Sequence, residues 1–323
     1  MLAFIIESER PMSINLTDPI FTDEDKAREH LESIRWPDGP YCPHCGEMEK
    51  IYRLNGKSHR PGLIHCNSCE QAFTVTVGSV MERSHVALTK WVLAYRLMCS
   101  SKKGMSSHQL HRMLGVTYKT AWFMSHRIRE SMKDDTHKKT GGLGGANKVV
   151  EADESYVGGK AKNRAHREPE AKKAVLSLVE RGGKVTSFHV ANVTAKTVRP
   201  IIVTNVNRAS ALMTDESLVY PKVGDEFSSH GTVNHSANEY ARLGGYIHTN
   251  TAENFFSILK RGITGVYHSV SEAHLHRYLA EFDFRYNNRS GLGIEDEART
   301  DKAIKGAAGK RLYYQAPRQA ANA

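Results

Sequence analysis

Between residues 250 and 263, apolar side chains recur at the three- and four-residue spacing of a helix: Ala252, Phe255, Phe256, Leu259 and Ile263. Such a stripe predicts a helix docked on a core. The opposite stripe carries Glu253, Ser257 and Lys260, because seven residues return an α-helix to within about 20° of the same face. Asn250 is the predicted N-cap, with Glu253 three places on as its capping-box partner. A docked helix that also displays a carboxylate and an amine invites a second role for both.

Helical spacing also marks residues 86–132, as VALTKWVLAYRLM, SSHQLHRMLG and TAWFMSHRIRESM. Leu110, Met113, Leu114, Val116, Ala121, Trp122, Met124 and Ile128 suit the core of a helix-turn-helix, and Gly115 permits its sharp turn. The second helix would then present Tyr118, Lys119, Thr120, His126, Arg127 and Arg129 to a major groove or its flanking phosphates. KKTGGLGGANK is glycine-rich and polar, and reads as a linker.

Beyond it the period changes. KVVEADESYVGG and AVLSLVERGGKVTSFHV read as strands, the latter a pair around the Arg181-Gly182-Gly183 turn. TAKTVRPIIVTNV reads as a helix passing into less regular chain, SALMTDES as a short strand ending on Asp215, and HGTVNHS as a further strand. Three linked strands, a helix, two more strands and a long helix predict a mixed sheet flanked by helices, the ribonuclease H-like α/β arrangement.

Charge adds a partner. The 323 residues carry a net charge of +10, and residues 83–139 hold twelve Lys and Arg against three acids. An excess this localised implies an anionic partner, nucleic acid foremost. The N-terminal MLAFIIESER has too short an apolar run for a signal peptide, and no segment approaches the roughly 20 apolar residues of a membrane span. A cytoplasmic protein with no membrane partner is expected.

Cysteine spacing is more specific. Cys42, Cys45, Cys66 and Cys69 form two Cys-x2-Cys knuckles separated by twenty residues. Paired thiolates at this spacing converge on one tetrahedral ion, so a closed, structural Zn²⁺ ribbon is expected. His44 and His65 read as bystanders and Cys99, in an apolar run, as a packed thiol.

On the predicted scaffold, Asp153 lies on the first strand, Asp215 at the end of the fourth and Glu253 on the long helix. Three carboxylates meeting at one edge would repel, and two Mg²⁺ (or Mn²⁺) ions about 4 Å apart would relieve that repulsion and drive an in-line phosphodiester displacement. Lys260 would then point at the DNA backbone, with Arg261 beside it.

The ordered set of the CxxC...CxxC ribbon, the basic helices, EADESYVGGK, LMTDES, TVNHSANEYAR and HTNTAENFFSILKRGITGVYH resembles the bacterial insertion-sequence transposases of the ISXO type, members of the DDE superfamily. The resemblance implies a catalytic triad at Asp153, Asp215 and Glu253, with Lys260 as the associated basic residue after the final acid. It also implies cleavage at element ends and strand transfer by the freed 3′-hydroxyl, in a homo-oligomer on double-stranded terminal repeats and target DNA. A DNA-binding regulator that has lost catalysis, or a nuclease or resolvase on the same scaffold, are the rival readings. The expected organisation is a zinc ribbon at 20–83, a helical DNA-binding segment at 84–137, a linker at 138–147, the catalytic domain at 148–290 and a peripheral tail at 291–323.

Overall fold

The computed structural model describes residues 15–134, 141–158, 171–237 and 239–313. The first helix, α1 (Glu24–Arg35), starts where the Asp23 carboxylate accepts the amides of Asp25 and Lys26. Three short strands, β1 (Ile51–Arg53), β2 (Ile64–Cys66) and β3 (Gln71–Phe73), then pair antiparallel in the order β1-β2-β3. The alternating run after Phe73 does not extend β3. It leaves the sheet in turns that bury Val75, Val80 and Met81.

Helices α2 (Leu88–Ser100), α3 (Ser107–Leu114) and α4 (Tyr118–Ser131) follow. Gly115 closes α3 at φ +59, the left-handed conformation that glycine adopts without steric cost, and Thr117 caps α4 by accepting the Thr120 amide. α3 and α4 thus form a helix-turn-helix pair. Ribbon and helices were expected as separate units, yet Ile64, Phe73, Leu31, Trp91, Leu110 and Ile128 belong to one continuous core. A ribbon this small has too little apolar surface to form a core alone.

The same core receives the chain's end. The tail expected to be peripheral contains α8 (Asp296–Lys305), whose Ala303 and Ile304 are buried in it. Arg299 explains the docking: its guanidinium donates to the carbonyls of Cys99, Asn288 and Ile294, tying three chain segments. Lys310 likewise donates to Ser131 and Lys133 carbonyls at the end of α4.

The second half is built on a five-stranded sheet of order β6-β5-β4-β7-β8. β4 (Val149–Val157), β5 (Lys173–Glu180) and β6 (Val185–Val190) form an antiparallel meander, while β7 (Ala211–Asp215) and β8 (Ser229–Val233) add parallel to β4. Alternation sorts the side chains: Val150, Ala152, Leu176 and Leu178 face α5 (Ala195–Asn205), whereas Val157, Val175 and Val179 face α6 (Asn250–Gly262) and α7 (Glu272–Asn287). This is the mixed, helix-flanked ribonuclease H-like sheet that the sequence predicts. α5 runs through Pro200, where the irregular chain was expected, because Pro200 is exposed and Val198 and Ile202 anchor the turns on either side.

The linker expectation also changes. Residues 135–140 lie outside the described residues, but Leu143 is buried against the sheet half and exchanges backbone hydrogen bonds with Asn205 and Asn207. A side chain at Gly144 would meet Ser210 Oγ at 2.2 Å. Glycine is needed there for close approach, so this stretch belongs to the sheet half.

Where the two halves meet, Arg129 of α4 is fully buried and donates to Glu281 of α7 at 2.7 Å. Arg285 donates to the same carboxylate, and Tyr267 donates at 2.8 Å. Arg129 was expected to face DNA; its pairing inside the protein excludes that. Replacing Glu281 by Gln would leave two buried guanidinium groups without a counter-charge, which typically costs about 3–5 kcal/mol. Urea denaturation of E281Q should show a loss of that size, and a loss below about 1 kcal/mol would mean the pair contributes no more than a surface contact.

Candidate functional site

The two cysteine knuckles come together. Cys42 and Cys69 sulfurs are 3.6 Å apart, as are those of Cys45 and Cys66, and all four lie within 4.8 Å of one another. Four thiolates at about 2.3 Å from a tetrahedral ion would stand about 3.8 Å apart, so the donor set fits zinc. Neither His44 nor His65 belongs to the group. Cys99 is buried in the apolar core, where burial pushes its thiol up to about 12.

The acids lie at the edge of the sheet where β7 stops. The parallel register pairs Glu151 with Met213, which sets Asp153 beside Asp215, two residues on in each strand. Their carboxylate oxygens, with those of Glu154, lie within 4.8 Å of one another. Burial raises the proton affinity of Asp153, and the charges of Glu154, Asp215 and Glu253 add to it, so that its pKa stands at about 7. Burial likewise raises Asp215 and Glu154 above the usual carboxylate range. Partly buried hard oxygens that repel each other suit a divalent cation of the Mg²⁺ type.

The expected third acid is at the margin of this group. Glu253 is half-exposed on the first turn of α6, near enough to act on Asp153 but outside the tight cluster, with its Oε1 3.5 Å from His235 Nε2. His235 Nε2 also lies 3.2 Å from the hydroxyl of the buried Thr249. The apolar stripe of α6 is buried from Ala252 to Ile263, and Lys260 is exposed on the other face. Arg261 donates to the Ser257 carbonyl at 3.0 Å.

The predicted cap is different. Thr249 takes the N-cap position but its side chain makes no capping bond to the helix amides, and Glu253 is not engaged in a capping box. The capping carboxylate is Glu151, which is fully buried and accepts the amides of Thr251 at 2.8 Å and Ala252 at 2.9 Å. Neither Glu151 nor Glu154 emerged as a site residue from the sequence. The available signal was the acid triplet on one strand, with Glu151 sharing the face of Asp153.

Basic residues fall into two groups. Lys119 and Tyr118 are exposed on the first turn of α4. Arg127 is half-buried, donates to the Glu82 carbonyl and lies over the Phe123 ring. His126, also expected to face a groove, is buried against Trp122, His274 and Tyr278; burial, with the nearby Arg129 charge, pushes it down to about 2. Among the described residues, no helix is long and apolar enough to cross a membrane.

Comparison with known proteins gives two family matches. Residues 143–287 match the ISXO2-like transposase domain and residues 22–72 the transposase zinc-ribbon domain. A Halobacterium salinarum protein described as "Uncharacterized protein in transposable element ISH50" is 28% identical over 283 residues, covering 82% of this chain and 91% of that protein. The solved Mos1 strand transfer complex covers 69% of this chain and 79% of its own at 10% identity and a TM-score of 0.26. A Mos1 paired end complex with Mg covers 65% and 76% at 12% identity and a TM-score of 0.23. These superpositions are too loose to carry an argument.

Two outcomes follow from the geometry. Cys42→Ser should lose zinc by metal analysis and unfold the N-terminal core; a full zinc complement in the variant would exclude the four-thiolate site. For Asp153, the folded chain holds a proton more tightly than the unfolded one, so without added divalent cation this group costs stability as pH rises from about 4 to about 7. Asp153→Asn should therefore raise Tm at about pH 7.5 and leave it unchanged at about pH 4. Equal melting at both would contradict the crowded-carboxylate picture.

Proposed function

Because the chain belongs to the ISXO2-like transposase family, with its zinc ribbon ahead of the transposase domain, we propose that it binds insertion-sequence ends and catalyses DNA strand cleavage and strand transfer at Asp153, Asp215 and Glu253. The observation that carries this reading is the register of β4 and β7, which sets Asp153 beside Asp215 at the sheet edge where the helix bearing Glu253 begins. Two Mg²⁺ (or Mn²⁺) ions held by the three acids would supply Lewis-acid activation of the attacking oxygen and stabilisation of the leaving oxygen.

The chain's own groups do the rest. The raised proton affinity of Asp153 and Asp215 in the free protein makes this edge poorly tolerant of bare negative charge and receptive to cations. His235, between Thr249 and Glu253, orients the glutamate. Lys260 is exposed two turns further along α6 on the stripe of Glu253 and would contact a DNA phosphate, with Arg261 beside it. In the first step a water oxygen attacks the phosphorus at the element end and the 3′-oxygen leaves. In the second that 3′-hydroxyl attacks a target phosphodiester, one P–O bond forming as another breaks.

Lys119 at the start of α4, with Arg127 behind it, is the proposed DNA contact of the helical segment. Joining two element ends to one target calls for more than one active site, so a homo-oligomer assembled on DNA is part of the proposal.

Purified protein incubated with labelled terminal-repeat DNA, Mg²⁺ and a target plasmid should yield joined product. Cutting without joining would instead identify a nuclease or resolvase, and binding without cutting a regulator. Ala at Asp153, Asp215 or Glu253 removes a contribution of several kcal/mol to the transition state, so joining should fall by about 10³-fold or more, while DNA affinity stays within a few-fold. Retained joining in any of the three would reject that residue.

A further inference from the structure

Helix α6 begins in an unusual way. Its first four amides are all satisfied, but not by an N-cap side chain. The Asn250 amide lies 3.2 Å from His248 Nδ1, those of Thr251 and Ala252 donate to Glu151 Oε2, and that of Glu253 donates to the Thr249 carbonyl. The two central amides therefore depend on a residue about a hundred positions away in sequence. Glu151 belongs to β4, two residues before Asp153, on the same face of the sheet.

The other oxygen of Glu151 is equally committed. Oε1 accepts the Thr251 hydroxyl at 2.8 Å and Arg181 Nε at 2.6 Å. Arg181 extends the tie by donating to the carbonyls of Tyr246 and His248, the residues that lead into α6. A carboxylate with no exposed surface is tolerated only when charge and lone pairs are met, and here the helix N-terminus and one guanidinium meet them. A Gln side chain would turn an NH₂ donor toward either the two helix amides or Arg181, so the charge-neutral isostere cannot reproduce this pattern.

We propose that Glu151 is a positioning residue: its carboxylate bolts the first turn of α6 to the strand that carries Asp153, and so sets where Glu253 stands relative to Asp153 and Asp215. Glu253 follows Ala252 directly, so displacement of the two amides held by Glu151 displaces Glu253 with them. The role in metal binding rests on the assignment of Glu253 as the third ligand.

The test uses the full-length, zinc-loaded protein with two readouts other than strand transfer, namely hydrogen exchange of residues 250–254 and Mn²⁺ affinity by electron paramagnetic resonance. In Glu151→Gln those amides should exchange at least about tenfold faster, and Mn²⁺ affinity should fall about tenfold or more, the usual effect of losing a group that orients a ligand. Glu253→Gln should lower Mn²⁺ affinity similarly, and the double variant should bind no more weakly than Glu253→Gln alone, because Glu151 acts through Glu253. Parental exchange in Glu151→Gln, or losses that multiply in the double variant, would overturn the proposal.

If Glu253→Gln keeps parental Mn²⁺ affinity, the ligand assignment fails, while the exchange readout still decides whether Glu151 fixes the helix. Should Glu151→Gln fail to fold, Thr251→Val removes a single bond to Glu151 without changing charge. It should show the same two changes in smaller measure, and parental values of both would reject the bolt.

Discussion

One buried carboxylate, Glu281, holds the two halves of the molecule in a single arrangement. It receives Arg129 from the helix-turn-helix pair and Arg285 from its own helix, with Tyr267 as a third donor. Burial alone would raise its pKa, but Arg285 and Arg129 outweigh that and hold it down to about 2. Removing three charged groups from water costs several kcal/mol for each ion, and the cost is offset only when hydrogen bonds are well made. The Arg129 guanidinium is further seated over the Tyr278 ring, 4.1 Å from its centroid. From α7 the tie continues into the sheet: Asp283 accepts the Ser187 amide and hydroxyl, and Asn287 accepts the Val185 amide and donates to the Val185 carbonyl. These bonds close part of the open edge of β6, which would otherwise offer a template for another strand. A continuous polar path therefore runs from α4 through α7 to the sheet that bears the acids.

Carboxylates serve two opposed purposes in this chain, and their hydrogen bonds separate them. Glu24 accepts the amides of Leu88 and Thr89 and so caps α2 from α1, as Glu151 caps α6 from β4. Such acids are saturated and unavailable to a cation. Glu154 is close to Asp153 and Asp215, but the Tyr220 hydroxyl donates to it, and as an even-numbered strand residue its backbone directs it to the α5 face. Asp153 accepts only the Glu154 amide and Asp215 only the Ser217 amide among the described contacts. Among the described residues Glu253 pairs with His235. Asp153, Asp215 and Glu154 each keep one oxygen outside the described hydrogen bonds, so it is the lean of Glu154 toward the α5 face that leaves Asp153 and Asp215, with Glu253, as the proposed cation-binding set.

The parts of the fold that sequence made legible are those governed by local period or by ligand chemistry. The stripe of α6 buries as its spacing predicts, the cysteine knuckles converge, and the order of strands and helices leads to the mixed sheet. What was not legible depends on partners distant in sequence. Nothing local to the polar helix EDEARTDKAIK announces that Arg299 will collect carbonyls from Cys99 and Asn288. Nor does NTAENFF reveal that its cap comes from β4, because Asn250 and Glu253 satisfy the local capping pattern while a buried glutamate forms the stronger, charge-assisted bonds.

The misreading of α4 has a geometric lesson for where DNA can lie. Trp122, His126 and Arg129 are spaced at four and three residues, so they share one face, and that face is pressed against His274 and Tyr278 of α7. A basic residue on a helix counts toward an electropositive surface only if its face is free. With Arg129 and His126 withdrawn and Arg127 turned to the Glu82 carbonyl, the exposed polar surface of α4 narrows to its first turn, at Tyr118 and Lys119. A recognition helix addresses base edges with its N-terminal residues. The loss of the distal basic residues from the surface is therefore compatible with a DNA-reading role, and it confines any groove contact by this helix to the end farthest from the buried Arg129–Glu281 pair.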